Sequence, residues 1–141
     1  MARIKIELPE KFIFSTDVPL YIQHINYGQH LDNAALLMLV AEARVRFFRH
    51  FGWSEMDVEG VGIIVADVAA QYRSEAFHGE ILRVEFAAAD FNDYGCDLLW
   101  RASDVASGRE VARGKHGIVF FDYNARSKAK VPPAFRAKTG A

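Results

Sequence analysis

The sequence predicts an α+β domain in which an antiparallel β-sheet is wrapped around one long α-helix. Three observations carry that expectation. The segment AALLMLVAEARVRFFRHFGW, ending at Trp53, is long, apolar and free of proline, as a buried helix requires. Later segments alternate apolar and charged residues with period two, as Leu82, Val84, Phe86 and Ala88 do against Arg83 and Glu85. Turn signals at His78-Gly79, Asn92-Asp93-Gly95 and Ser107-Gly108 join these segments at hairpin intervals.

Taken in order, Ile4, Ile6 and Leu8 alternate with Lys5 and Glu7 and read as a half-buried strand that Pro9 ends. A second extended run goes from Phe12 to about Ile22, and Pro19 assigns it to an edge or a bulge because proline cannot donate to a ladder. A polar loop follows from His24 to Asn33, HINYGQHLDN. Asp32 or Asn33 is the natural N-cap of the helix. Along that helix Leu36, Leu37, Val40, Phe47, Phe48 and Phe51 share one broad face, while Glu42, Arg46 and Arg49 gather on the other. Its first two turns are apolar nearly all round, which predicts a helix enclosed by the sheet. Gly52 supplies the stop. Val61 to Tyr72 reads as a buried strand interrupted by Asp67, and Glu80 to Asp90, Cys96 to Ser103 and Glu110 to Asp122 read as three further strands.

The 141 residues, half of them apolar, suit a single domain over 1–123, followed by a basic tail over 124–141. In that tail Arg126, Lys128, Lys130, Arg136 and Lys138 have no acidic neighbour. It reads either as a solvated extension or as a cationic contact for phosphates. A net charge of -1 argues against a nucleic-acid binder, which needs a surplus of cations. The single cysteine, Cys96, implies a reducing compartment, and no stretch resembles a secretory leader or a membrane-spanning segment. The expectation is a soluble cytoplasmic protein without nucleic-acid or membrane partners.

The loop and helix start also carry a family resemblance. They resemble the signature of hotdog-fold acyl-CoA thioesterases of the 4-hydroxybenzoyl-CoA thioesterase type, D-x-D-x-x-G-H-V-N-N with E-A-R nine residues on. His24 falls at the first Asp, Asn26 at the second, Gln29 at the Gly, and His30 to Asn33 at H-V-N-N, while Glu42, Ala43 and Arg44 reproduce E-A-R. The resemblance implies a hotdog fold across nearly the whole chain. It implies a thioesterase that hydrolyses acyl-CoA to free acid and CoA, and a site shared between subunits of a homodimer, possible pairing into a homotetramer included. No cofactor is expected beyond the coenzyme A of the substrate.

Thioester hydrolysis needs an activated water and hydrogen-bond donors where the carbonyl becomes an oxyanion. The backbone N–H near Asn33, aided by the helix dipole, is the donor the resemblance implies. In the family the second Asp is a frequent catalytic group, and here Asn26 occupies its place. His24 is either a replacement general base or a histidine that bonds backbone. Asn26 orients water or the carbonyl, or serves as an Asx-turn residue. His30 is a loop organiser or a direct participant, and Asp32 is favoured as a cap that also borders substrate. Glu42 matches a helix acid that some hotdog thioesterases use across the subunit boundary, and it also stands i,i+4 to Arg46 as an ordinary surface pair. Tyr27, Gly28, Asp32 and Asn33 complete the candidate substrate contacts around the catalytic candidates His24, Asn26, His30 and Glu42.

Arg44 falls within the apolar face and needs a partner, for which Asp67, the lone acid of its strand, is the candidate. Metal binding is disfavoured, since no HxxxH or HExxH spacing occurs and His24 with His30 gives two ligands. A serine-hydrolase elbow, a dinucleotide fingerprint and a Walker loop are also missing. Two rival readings of the same residues are a hydratase or dehydratase acting on acyl thioesters and a non-catalytic acyl-CoA-binding protein.

Overall fold

The computed structural model describes residues 1–140. The chain enters through strand β1 (Phe14–Pro19), makes a single 3-10 turn (Ile22–His24), and runs through the polar loop into helix α1 (Asn33–His50). Strands β2 (Gly62–Tyr72), β3 (Ile81–Ala89), β4 (Gly95–Asp104) and β5 (Glu110–Asp122) follow, then the short β6 (Ser127–Lys128) and helix α2 (Pro133–Thr139). The sheet is antiparallel throughout in the order β1-β3-β4-β5-β2, with β6 added to β5. Pro19 closes the edge strand β1, where its missing N–H costs no ladder bond.

Helix α1 packs against β1 and β3. Its buried flank is Leu36, Leu39, Val40, Ala43, Phe47 and Phe48, set against Leu82, Val84 and Phe86 of β3 and Leu98 and Trp100 of β4 in one core. The opposite strip, including Met38 and Val45, faces away from the sheet. Gly114 of β5 is required by close packing, since a Cβ there would collide with the Trp100 indole. Gly52, at φ 86, ends the helix as expected, with its N–H bonded to the Arg49 carbonyl.

Two expectations fail here. Residues 4–8 form no strand. Ile6 and Leu8 are half-buried and Lys5 and Glu7 exposed, so the alternation is real, but the segment is held by side chains instead of by a ladder. The Ile6 N–H donates to Gln71 Oε1 at 3.3 Å, and Arg113 Nη1 donates to the Ile6 carbonyl at 3.2 Å. Nor are residues 124–140 a solvated tail. Pro133 opens α2 at a position where its absent N–H is harmless, and the helix drives Phe135 fully into the core between Phe48, Trp53, Phe91 and Phe120. The cations stay at the surface, Arg136 over the Phe91 ring and Lys138 over Trp53.

Candidate functional site

The polar loop is a tight hairpin laced by its own backbone. Ile25 and Leu31 form a bridge, the Asn26 N–H donates to the His30 carbonyl at 3.0 Å, and the Gln29 N–H returns to the Asn26 carbonyl at 2.9 Å. Gln29, which stands where the resemblance has glycine, takes a left-handed φ of 66°. Asn26 Oδ1 accepts from the Gly28 N–H at 2.9 Å, the Asx turn its residue type favours, which leaves the Asn26 amide hydrogens free to donate. A Cβ on Gly28 would stand 3.1 Å from His30 Nε2 and 3.2 Å from Asn26 Oδ1, so the missing side chain lets both groups close over the loop.

Asp32 is the N-cap. One carboxylate oxygen accepts from the Ala34 and Ala35 N–H groups at 3.0 and 3.1 Å, and its carbonyl accepts from Leu36. The Asn33 N–H alone in this first turn has no acceptor among the described residues. The Asn33 carbonyl receives the Tyr72 hydroxyl at 2.7 Å, which clamps the helix start to the end of β2. Burial and the Asp32 carboxylate together raise the Tyr72 pKa, so the hydroxyl keeps the proton it donates.

The tautomers of the two loop histidines follow from their partners. His30 Nδ1 lies 3.3 Å from the Leu31 carbonyl, which can only accept, so Nδ1 carries the proton and Nε2 offers a lone pair. The reverse holds at His24. Its Nδ1 accepts the Tyr21 N–H at 2.9 Å, and the ring stacks on Tyr21, so in the neutral imidazole the proton sits on Nε2.

Two crevices, one at the start of α1 and one along its second to fourth turns, divide the candidates between them. The first, about 410 Å³, is walled by Asn26, His30, Asn33, Tyr72 and Glu75, with Leu31, Leu36, Ala76 and Val111 as an apolar floor. The second, also 410 Å³, holds His24, Glu42, Met38 and Arg46. Glu42 is bonded to Arg46 at 2.7 Å in the i,i+4 surface pair. Thus Asn26, His30 and Asn33 converge, while His24 and Glu42 lie elsewhere. Tyr27 is fully exposed and walls neither crevice, Gly28 lies beneath His30, and Asp32 is spent on the helix cap. The polar run Tyr72 to Glu75 escaped sequence reasoning. Its only signal was the abrupt end of an apolar strand in charged residues.

Arg44 is 13% exposed and paired, but not with Asp67. Its Nε donates to Glu55 at 3.0 Å and its Nη1 to His116 Nδ1 at 2.7 Å. A bulge between Val65 and Asp67 turns the acid outward, where Asp67 Oδ1 receives Lys115 Nζ at 2.7 Å and the Gly117 N–H at 3.1 Å. The lysine bond holds the Asp67 carboxyl below its ordinary range. His116 is 2% exposed, and its pKa falls to about 4 through burial first and the adjacent Arg44 charge second. Among the described residues no group of three His, Cys, Asp or Glu is placed to hold a metal, and no helix is long and apolar enough to cross a membrane.

The family model described as the thioesterase-like superfamily matches residues 21–139, which spans the loop, α1, strands β2 to β6 and α2. The chain belongs to the thioesterase-like superfamily. Solved structures place this superfamily member in the hotdog fold. The 1,4-dihydroxy-2-naphthoyl-CoA thioesterase of Synechocystis superposes with a TM-score of 0.79 at 16% identity, over 89% of this chain and 93% of that one. The PA2801 protein of Pseudomonas aeruginosa gives 0.82 at 19% identity over 90% and 98%. The SAV2348 protein of Staphylococcus aureus, solved in complex with CoA, gives 0.79 at 15% identity over 95% and 85%. A comparison with curated protein sequences finds no match. The matched span includes Phe135, the α2 side chain that lies in the core.

Proposed function

We propose that this protein is an acyl-CoA thioesterase whose site is the crevice beside Asn33. The observation that supports this best is the unpaired Asn33 N–H at the helix start, in a residue that lines the same crevice as His30, whose Nε2 carries a lone pair. A thioester carbonyl seated there accepts from that N–H, and the helix dipole favours the negative charge that grows on its oxygen. The Asn26 amide donates to the same carbonyl or to the water. His30 Nε2 accepts a hydrogen from the attacking water and so aims the water's oxygen at the carbonyl carbon. Leu31, Leu36, Ala76 and Val111 give the acyl group an apolar floor. The CoA-bound relative supports coenzyme A as the carrier.

The site is completed, in this reading, by a second copy of the chain. Among the described residues strand β2 has β5 on one side and no strand on the other, it shows Ile64 and Val68 at its surface, and its last residue, Tyr72, reaches the crevice. A homodimer formed along β2 places two crevices at one interface, and a dimer of dimers remains compatible with it. The basic residues of α2 stand at the far end of α1 from Asn33, about 27 Å away along an 18-residue helix, so within one chain they do not reach the same ligand. Cys96 is buried, with burial pushing its thiol up to about 12, so it serves as an unreactive core side chain and not as a nucleophile.

Thiol release from a panel of acyl-CoA substrates, beside calorimetric binding of a non-hydrolysable thioether analogue, tests the reading. Turnover of at least one substrate, lowered about 10²-fold or more in His30→Asn, supports it. Binding without turnover supports the non-catalytic binder instead, and hydration of an unsaturated acyl-CoA without thiol release supports the hydratase.

A further inference from the structure

The crevice beside Asn33 contains one carboxylate that no other role absorbs. Glu75 stands in its wall, just past the end of β2. The surrounding acids are all engaged. Glu110 binds Arg113 and Arg73, Glu80 binds Arg109, Asp104 accepts the Ser107 hydroxyl and N–H, and Asp32 caps α1. Arg73 and Arg109 are turned to those partners, and the Glu75 carboxylate has neither a hydrogen bond nor an ion pair among the described residues. Its backbone, by contrast, is held firmly. The Arg73 and Ser74 N–H groups donate to the Val111 carbonyl at 2.7 and 3.1 Å, and Arg109 Nη2 donates to the Glu75 carbonyl at 2.9 Å. The buried Ala76 accepts the Leu31 N–H at 2.7 Å. That last bond joins the residue after His30 to the residue after Glu75, so an imidazole and a free carboxylate flank one backbone contact and line one crevice.

We propose that Glu75 takes the proton of the attacking water. The inference rests on the hydrolase reading above and names the acid that Asn26 cannot be. A water that points one hydrogen at His30 Nε2 and the other at the Glu75 carboxylate presents an oxygen lone pair to the thioester carbon. As the new C–O bond forms, the second hydrogen passes to Glu75 as a proton, and the carbonyl electrons collect on the oxygen beside the Asn33 N–H. Collapse of the tetrahedral intermediate breaks the C–S bond, and the proton on Glu75 passes to the departing CoA sulfur. Water and thioester thereby give acid and thiol, and the carboxylate is restored.

The test compares wild type with Glu75→Gln and Glu75→Asp in thiol release and in binding of the thioether analogue. Glu75→Gln is expected to lower kcat roughly 10²- to 10⁴-fold and to leave analogue affinity within about twofold. Glu75→Asp should restore part of kcat. Glu75 is exposed, so both variants should melt with the wild type. A Glu75→Gln enzyme within about threefold of wild-type kcat, or one whose loss lies in KM alone, overturns the inference while leaving the hydrolase reading standing. A wild type that binds the analogue but releases thiol from no acyl-CoA overturns both.

Discussion

Acidification should destabilise this protein through one buried histidine. In the native state His116 is neutral, accepts a hydrogen bond from Arg44, and titrates at about 4, against 6.5 for the free side chain. The unfolded chain therefore binds a proton that the native chain refuses between those two values, and stability falls as pH drops through that window. At pH 7.5 the contribution is complete. At pH 4.5 the difference of about 2.5 units removes on the order of 2.5 kcal/mol, with no solvent discount because the ring is 2% exposed. Asp67 and Asp104, whose carboxyls are held low by Lys115 and by Ser107 respectively, lose their contributions only at more acid pH, so the window isolates the histidine. Urea unfolding at pH 7.5 and 4.5 measures the loss, and His116→Gln, which keeps an acceptor for Arg44 but cannot titrate, should remove most of it. Equal pH dependence in wild type and variant would refute the assignment.

Three further outcomes follow from particular contacts. Asp32→Ala removes the acceptor for two helix N–H groups and should cost about 1 kcal/mol of stability in denaturant unfolding, with a fall in thiol release as the freed N–H groups disturb the Asn33 position. Gly28→Ala is compatible with the backbone but crowds His30 Nε2 and Asn26 Oδ1, so kcat should fall about tenfold while the melting temperature barely moves. Phe135→Ala opens a cavity among four aromatic rings and should cost about 3–5 kcal/mol, seen as a melting temperature lower by roughly 10 °C or more.

The sequence made the helix, its Asp32 cap, its Gly52 stop and four of the long strands legible, because each rests on local periodicity and capping chemistry. What it concealed depends on long-range geometry. The alternation at residues 4–8 describes an extended segment but cannot say whether a strand edge is free to receive it. The charge of the last residues drew attention from Phe135, one apolar side chain in a basic run. Arg44 was correctly expected to need a partner, yet a bulge that no residue pattern announced turned Asp67 to the outer face and left Glu55 and His116 to do the work. In the candidate crevice, Asn26, His30 and Asn33 are legible from the sequence because one hairpin brings them together. His24 and Glu42 share the motif's spacing but lie in the other crevice, and Glu75 arrives from the segment after β2, about 40 residues along the chain, by a contact that only the folded backbone reveals.

The central claim, that a thioester carbonyl binds at the Asn33 N–H, is tested most directly by amide NMR during titration with an acyl-CoA ketone analogue, in which a methylene replaces the sulfur and the carbonyl is kept. The account predicts a large downfield shift of the Asn33 amide proton, with smaller changes at His30 and Glu75. An unmoved Asn33 amide, with the shifts gathered instead around His24, Met38 and Glu42, would contradict it.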